Sequence, residues 1–183
     1  MKILLSIFTL FALTLLSAQS LDLEKSSLKW TGKKITGQHS GTINIGEADF
    51  NYEDGQLVSG SMVLDMNSIK CTDLEGGKAE NLVGHLKSED FFDVNGFPEA
   101  ALIFTSVQQI EGDSYLLKGD ITIKGTTEPI EFYANLKEKE ALATIRIDRS
   151  KFNVRYGSAS FFDNIGDKAI DDIFEIKARL VYQ

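Results

Sequence analysis

The sequence predicts an all-β fold: an antiparallel sheet of about eight strands, closed into a barrel and carrying short helical lid segments. Three observations point there. Apolar residues recur with a period of two along most of the chain. The gaps between most of these runs are too short for the crossovers that parallel strands need. A sheet that is apolar on one face leaves two bare edges unless it closes on itself.

The chain begins MKILLSIFTLFALTLLSAQS, with Lys2 ahead of an apolar run from Ile3 to Leu16 and small residues around Ala18. That is the pattern of an export signal cleaved near Ala18, and the run is shorter than the about 20 apolar residues of a membrane-spanning helix. Residues 1–18 are therefore read as a signal peptide and residues 19–183 as one domain, exported to the periplasm or the cell exterior. A domain of this size buries enough surface to hold a core without disulfides. Cys71 is the one cysteine and has no partner in the chain; it is read as a small buried hydrophobe, with a thiol awaiting a partner as the alternative.

Five runs alternate clearly. Val58, Gly60, Met62, Leu64 and Met66 share one face of the first. Tyr115, Leu117, Gly119, Ile121 and Ile123 share a face of the second, and Ile130, Phe132, Ala134 and Leu136 of the third. Ala141, Ala143, Ile145 and Ile147 form the fourth, and Phe174, Ile176, Ala178, Leu180 and Tyr182 the fifth, with the charged Glu175, Lys177 and Arg179 between them. Weaker alternation at Leu28 and Trp30, Ile43 and Ile45, Phe50 and Tyr52, and Leu102 and Phe104 brings the count to eight or nine strands. Asp54-Gly55, Glu111-Gly112-Asp113 and Lys137–Glu140 are hairpin connections, so the strands follow one another as a meander.

Two longer gaps remain. In residues 67–99, Asp73 or Thr72 is placed to cap a helix through Lys78, Glu80, Leu82, Val83 and Leu86, although Gly76 and Gly77 weaken its first turn. Residues 73–98 read as a helical lid, with Gly96 supplying a turn and Pro98 suited to the start of a strand. One of Phe91 and Phe92 is expected to pack beneath the helix and the other to line or plug the barrel mouth. Residues 150–170 hold Phe152, Phe161 and Phe162 in a loop-like setting, with a further brief helix that the sequence does not locate.

The residues carry little catalytic chemistry. His39 and His85 are the only histidines and fit no metal-ligand or hydrolytic spacing, and no phosphate loop, nucleophile elbow or CxxC is present. Glu89, Asp90 and Asp93 read as a solvated face. The formal net charge of −8, without clusters of Lys and Arg, excludes a nucleic-acid partner. Period two does not distinguish a barrel filled by side chains from one that holds a small apolar ligand.

Four stretches resemble the YceI-like family. HLKSEDFFDVNGFPEA at 85–100, followed by ALIFTSV, is similar to its His-Leu, Phe-Phe-Asp and Pro signature. LKGDITIKGTTEPIEF at 117–132 is similar to its Gly-Thr-Pro strand and turn. IRIDRSKFNVRYG at 145–157 resembles its Arg-x-x-Phe-Gly-Val segment, and IGDKAIDDIFEIKARL its closing strand. Gly84 stands where an acid is common, and Asn153 where a glycine is usual.

The resemblance implies a lipocalin-like barrel, exported and non-catalytic, that holds a long apolar lipid such as a polyisoprenoid or an isoprenoid quinone. On that reading the tunnel wall comprises Trp30, Phe50, Met62, Leu64, Leu86, Phe91, Phe92, Phe104, Ile121, Phe132, Phe152, Phe162 and Phe174, and the headgroup candidates are His85, Arg149 and Arg155. No metal or other cofactor is expected; transient membrane contact and pairing of two chains are further expectations. A small lipocalin-like enzyme acting on an apolar substrate and a ligand-free structural β module stay open as alternatives. An inward His with a carboxylate partner would favour the first, and an interior filled to native density the second.

Overall fold

The computed structural model describes residues 16–18, 20–163, 166 and 169–183. The expected signal peptide therefore lies outside the described residues except for Leu16–Ala18, which forms a short strand, β1. The remaining elements are β2 (Ser27–Lys34), β3 (Gly37–Glu53), β4 (Gln56–Cys71), α1 (Gly76–Lys87), β5 (Glu99–Glu111), β6 (Ser114–Ile123), β7 (Thr126–Leu136), β8 (Glu140–Asp148) and β9 (Ile173–Val181), with a 3-10 turn at Arg149–Phe152.

β2 to β9 pair antiparallel in chain order, and β9 returns to β2 through Leu28↔Ala178 and Trp30↔Ile176. The eight strands thus close a barrel, with β1 appended to β3 through Ser17↔Tyr52. Closure leaves β2 to β9 without an end strand, which is how a one-sided apolar sheet avoids exposed pairing edges. Asp54-Gly55 and Lys124-Gly125 turn their hairpins with positive φ at both residues, the twist that matches two-residue hairpins.

The long strands depart from strict alternation at defined points. Ile43 and Ile45, and Phe50 and Tyr52, belong to one 17-residue strand rather than two. The register shifts between Ile45 and Glu47, so odd-numbered inward residues give way to even-numbered ones. A second shift, where Asn51 pairs with Ser59 but Tyr52 with Leu57, corrects the expected face of Val58: Leu57 is buried and Val58 is exposed. In β5 the shift between Phe104 and Ser106 carries the inward face on to Val107. One inserted residue moves every later side chain to the opposite face, and that insertion has no signature of its own in the sequence.

The helix also starts later than expected. Its N-cap is Glu75, whose side chain makes no capping bond, and Gly76 takes φ +57. Thr72 and Asp73 are withheld from capping because β4 runs on to Cys71, opposite Gly41. Asp73 instead accepts from the Ser40 amide at 2.9 Å. The brief helix of the second gap is the 3-10 turn, capped by Asp148 on the Ser150 amide at 3.0 Å and ended by Asn153 at φ +58. Asparagine tolerates that left-handed conformation better than most residues, which accounts for its standing in for a glycine.

One end of the barrel is shut by Tyr52, Leu57, Tyr115 and Tyr182, each no more than 7% exposed. The Tyr182 ring meets Phe50 and Tyr52 edge-on at 6.4 and 6.1 Å. The other end is covered by α1, residues 88–98 and the loop that follows β8.

Candidate functional site

Between these ends the inward side chains line a cavity that leaves about 180 Å³ for the centres of water-sized spheres. A single water needs only about 10–15 Å³ by this measure, together with two to four polar partners. The wall supplies apolar side chains almost throughout; its charged members are Arg149 and Asp171. An apolar occupant suits such a space far better than water.

The cavity exists because the wall is thin at one level. Ala134, Ala143 and Ala178 are cross-strand neighbours on β7, β8 and β9, and all three border the void. Three large residues in that row would fill the barrel. This belt is absent from the site expected from sequence, although its signal was present: small residues at inward positions of three successive strands.

Part of the wall is aromatic. Phe50 and Phe104 lie 6.1 Å apart with planes inclined by 25°, and Phe104 meets Phe132 at 6.3 Å. Gly60 makes room for the first pair, since a Cβ there would stand 2.5 Å from the Phe50 ring and 3.1 Å from the Phe104 ring. Trp30 is held at the wall by an indole N–H donated to the Lys70 carbonyl at 3.1 Å.

Of the residues expected in the tunnel, Trp30, Phe50, Met62, Leu64, Leu86, Phe91, Phe92, Phe104, Ile121, Phe132 and Phe174 border the cavity. Phe91 and Phe92 both do so, their rings 4.9 Å apart edge-on. They can share the void because the lid crosses its end instead of entering a single narrow slot. Phe152 and Phe162 lie outside the cavity wall. Phe152 is buried in the 3-10 turn, where the chain has left the sheet, and Phe162 is exposed in the following loop. Loop phenylalanines have no period to say which way they face.

None of the three headgroup candidates offers a free donor to the void. Arg149 is 2% exposed, and four of its five guanidinium N–H groups are donated to backbone carbonyls. It donates to the carbonyls of Asp171 (3.1 Å), Val154 (2.9 Å), Tyr156 (2.8 Å) and Ile170 (2.9 Å), and Nη2 lies 3.2 Å from the Asp172 carboxylate. Burial lowers the Arg149 pKa against the opposing carboxylates. For Asp172, burial works to raise the pKa, but the hydroxyls of Ser158 and Ser160 and the Arg149 charge leave it below the usual carboxylate value. Arg149 therefore clamps the loop that covers this end. Arg155 sits 5.0 Å over the exposed Phe161 ring, outside the barrel. The His85 ring is packed 4.3 Å from Tyr156 and 5.6 Å from Phe91, with Nε2 buried, unpartnered and off the cavity wall. A lone sequence does not show that a cation's donors are already spent on carbonyls.

At the rim, Asp73 joins His39 Nδ1 (3.0 Å), the Ser40 amide (2.9 Å) and Cys71 Sγ (3.2 Å). Burial acts to raise the Asp73 pKa, yet these donors together bring it down to about 2. Cys71 is half-buried and hydrogen-bonded, in place of the fully buried hydrophobe expected. Among the described residues no group of three or more His, Cys, Asp or Glu is placed to hold a metal, and no helix is long and apolar enough to cross a membrane.

The solved structures with a similar fold include BcnA of Burkholderia cenocepacia, at TM-score 0.74 and 23% identity, covering 90% of this chain and 100% of that one. A polyisoprenoid binding domain from Saccharophagus degradans follows at TM-score 0.61 and 13% identity, covering 92% and 98%. By sequence, the chain is 38% identical over 96 residues to a UPF0312 protein of Photorhabdus laumondii, covering 52% of this chain and 47% of that protein. Protein YceI of Shigella flexneri is 28% identical over 96 residues, covering 52% and 48%. These matches span about half the length of either relative. The profile of the YceI-like domain matches residues 20–182, in keeping with the closed eight-stranded barrel, and the chain belongs to the YceI-like family.

Proposed function

We propose that this protein is an exported, non-catalytic carrier that holds the tail of one long apolar lipid, a polyisoprenoid or isoprenoid quinone, in the barrel. The carrying observation is the apolar void, walled by aromatic and aliphatic side chains and given room by the small side chains of the alanine row. The described structural relative from Saccharophagus degradans, a polyisoprenoid binding domain, supports the same reading. Burying roughly 20 tail carbons at ~0.8 kcal/mol each contributes a gross ~16 kcal/mol, from which the ordering of a flexible chain is subtracted. Affinity therefore needs no positioned charge inside. Exported by the leader read at residues 1–18, such a carrier would shelter a lipid from water on its way between membranes.

The test is to produce the full chain through an export route, extract the purified protein with organic solvent and identify the extract by mass spectrometry. A prenyl lipid at about one per chain is expected. An empty protein that also fails to take up added geranylgeraniol would refute the carrier role.

A further inference from the structure

The barrel wall has a weak seam. β6 and β7 pair along their full length, from Ser114↔Asn135 to Ile123↔Thr126, and β8 and β9 from Glu140↔Val181 to Asp148↔Ile173. β7 and β8 pair only beside their hairpin, through Ala134↔Ala143, Asn135↔Leu142 and Leu136↔Ala141. Beyond these, Thr126–Tyr133 pairs with β6 alone, and Thr144–Asp148 with β9 alone. The 3-10 turn lies against β7 and bounds the gap from above. A closed sheet thus carries two facing stretches of unpaired edge in its side, an arrangement that globular sheets otherwise avoid.

The seam lies between two spaces. Phe132, Ala134, Leu142, Ala143 and Ala178 border the apolar cavity, and the same five border a cleft of about 760 Å³ on the outer face. The other walls of that cleft carry Lys29, Arg146, Lys177 and Arg179 against one carboxylate, Glu131, in a chain whose net charge is −8. Arg179 is paired with Glu140, Lys177 with Glu175, and Glu131 with Lys118. Lys29 and Arg146 make no ion pair among the described residues. Exposed Tyr133 and Leu142 stand at the rim. Both ends of the barrel are less suited to a polar head: one is sealed by buried tyrosines, and at the other the Arg149 donors are spent.

We propose that the lipid enters sideways through the β7–β8 seam and keeps an anionic head in the outer cleft, beside Lys29 and Arg146. Of the two lipid classes above this selects the polyisoprenoid over the neutral quinone: a single-tailed lipid anion, with the tail inside and a phosphate or carboxylate outside. This rests on the carrier reading above and adds where the head lies and how the tail passes the wall. A head left in water loses none of its hydration, whereas a charge drawn into the void would go uncompensated.

The test uses geranylgeranyl phosphate esterified at its phosphate with a benzophenone alcohol, which retains a negative charge and is too bulky for the interior. Photolysis of its complex with the full chain, followed by peptide mass spectrometry, is expected to find adducts at Lys29, Glu131, Tyr133, Leu142 or Arg146. Adducts at residues 33–36, 85–98 or 155–162 would overturn the seam while leaving the carrier reading intact. Failure of both this compound and plain geranylgeraniol to bind would overturn both. Lys29→Glu combined with Arg146→Glu is expected to weaken geranylgeranyl phosphate roughly tenfold, since each exposed charge contributes modestly, and to leave geranylgeraniol unchanged. Equal binding of the phosphate by the native chain and the double variant overturns the headgroup assignment.

Discussion

Ala178→Phe should fill the void without breaking the barrel. Ala178 lies opposite Ala143 on one side and Leu28 on the other, in the row where the wall is thinnest. The substitution projects a phenyl ring into space that a tail would use, displacing roughly six tail carbons at ~0.8 kcal/mol each. The loss of ~5 kcal/mol corresponds to more than three powers of ten in Kd for a prenyl chain. Because the ring enters an existing void, urea unfolding should shift by less than about 1 kcal/mol; overpacking a solid core would instead cost about 1–3 kcal/mol. Trp30, the chain's one tryptophan, borders the same cavity, so quenching of its fluorescence by added geranylgeraniol reports occupancy. Native binding by a variant of native stability would show that the tail does not occupy this space. A large loss of stability would show that the barrel is already full.

Arg149→Met should lower stability by about 3–5 kcal/mol, because it strands the Asp172 carboxylate and four carbonyls behind the loop. The urea midpoint should fall at constant slope, and the loss should shrink when Asp172→Asn is already present. Because the Asp172 pKa is lowered in the folded state, its contribution is full above the unfolded value near 4 and is lost as pH falls through the folded one. Unfolding free energy measured from pH 6 downward should therefore decline only on the acid side, and less in Asp172→Asn. At the rim, an NMR titration of the Asp73 carboxyl should give a midpoint near about 2, rising toward the ordinary value in His39→Phe and in Cys71→Ala.

Five of the eight barrel strands were legible as alternating runs, because an inward side chain at every second position is a direct consequence of strand geometry. The other three, β2, β3 and β5, showed only weak fragments, since their alternation is short or broken by register shifts such as those after Ile45 and Phe104. Most of the apolar wall followed from the same period, whereas Phe152 and Phe162 were misplaced because loop residues carry none.

By itself, the sequence determined which face of most strands is apolar between register shifts, and which short connections are hairpins. Only the tertiary structure decided that the barrel is hollow, because that depends on Ala134, Ala143 and Ala178 arriving at one level across three strands. It also decided that Arg149 is a clamp and not a receptor for a lipid head, and that β7 and β8 part company above Ala134 and Ala143. Register between strands, and the partners of a buried charge, are properties of residues far apart in the chain, which no local period records.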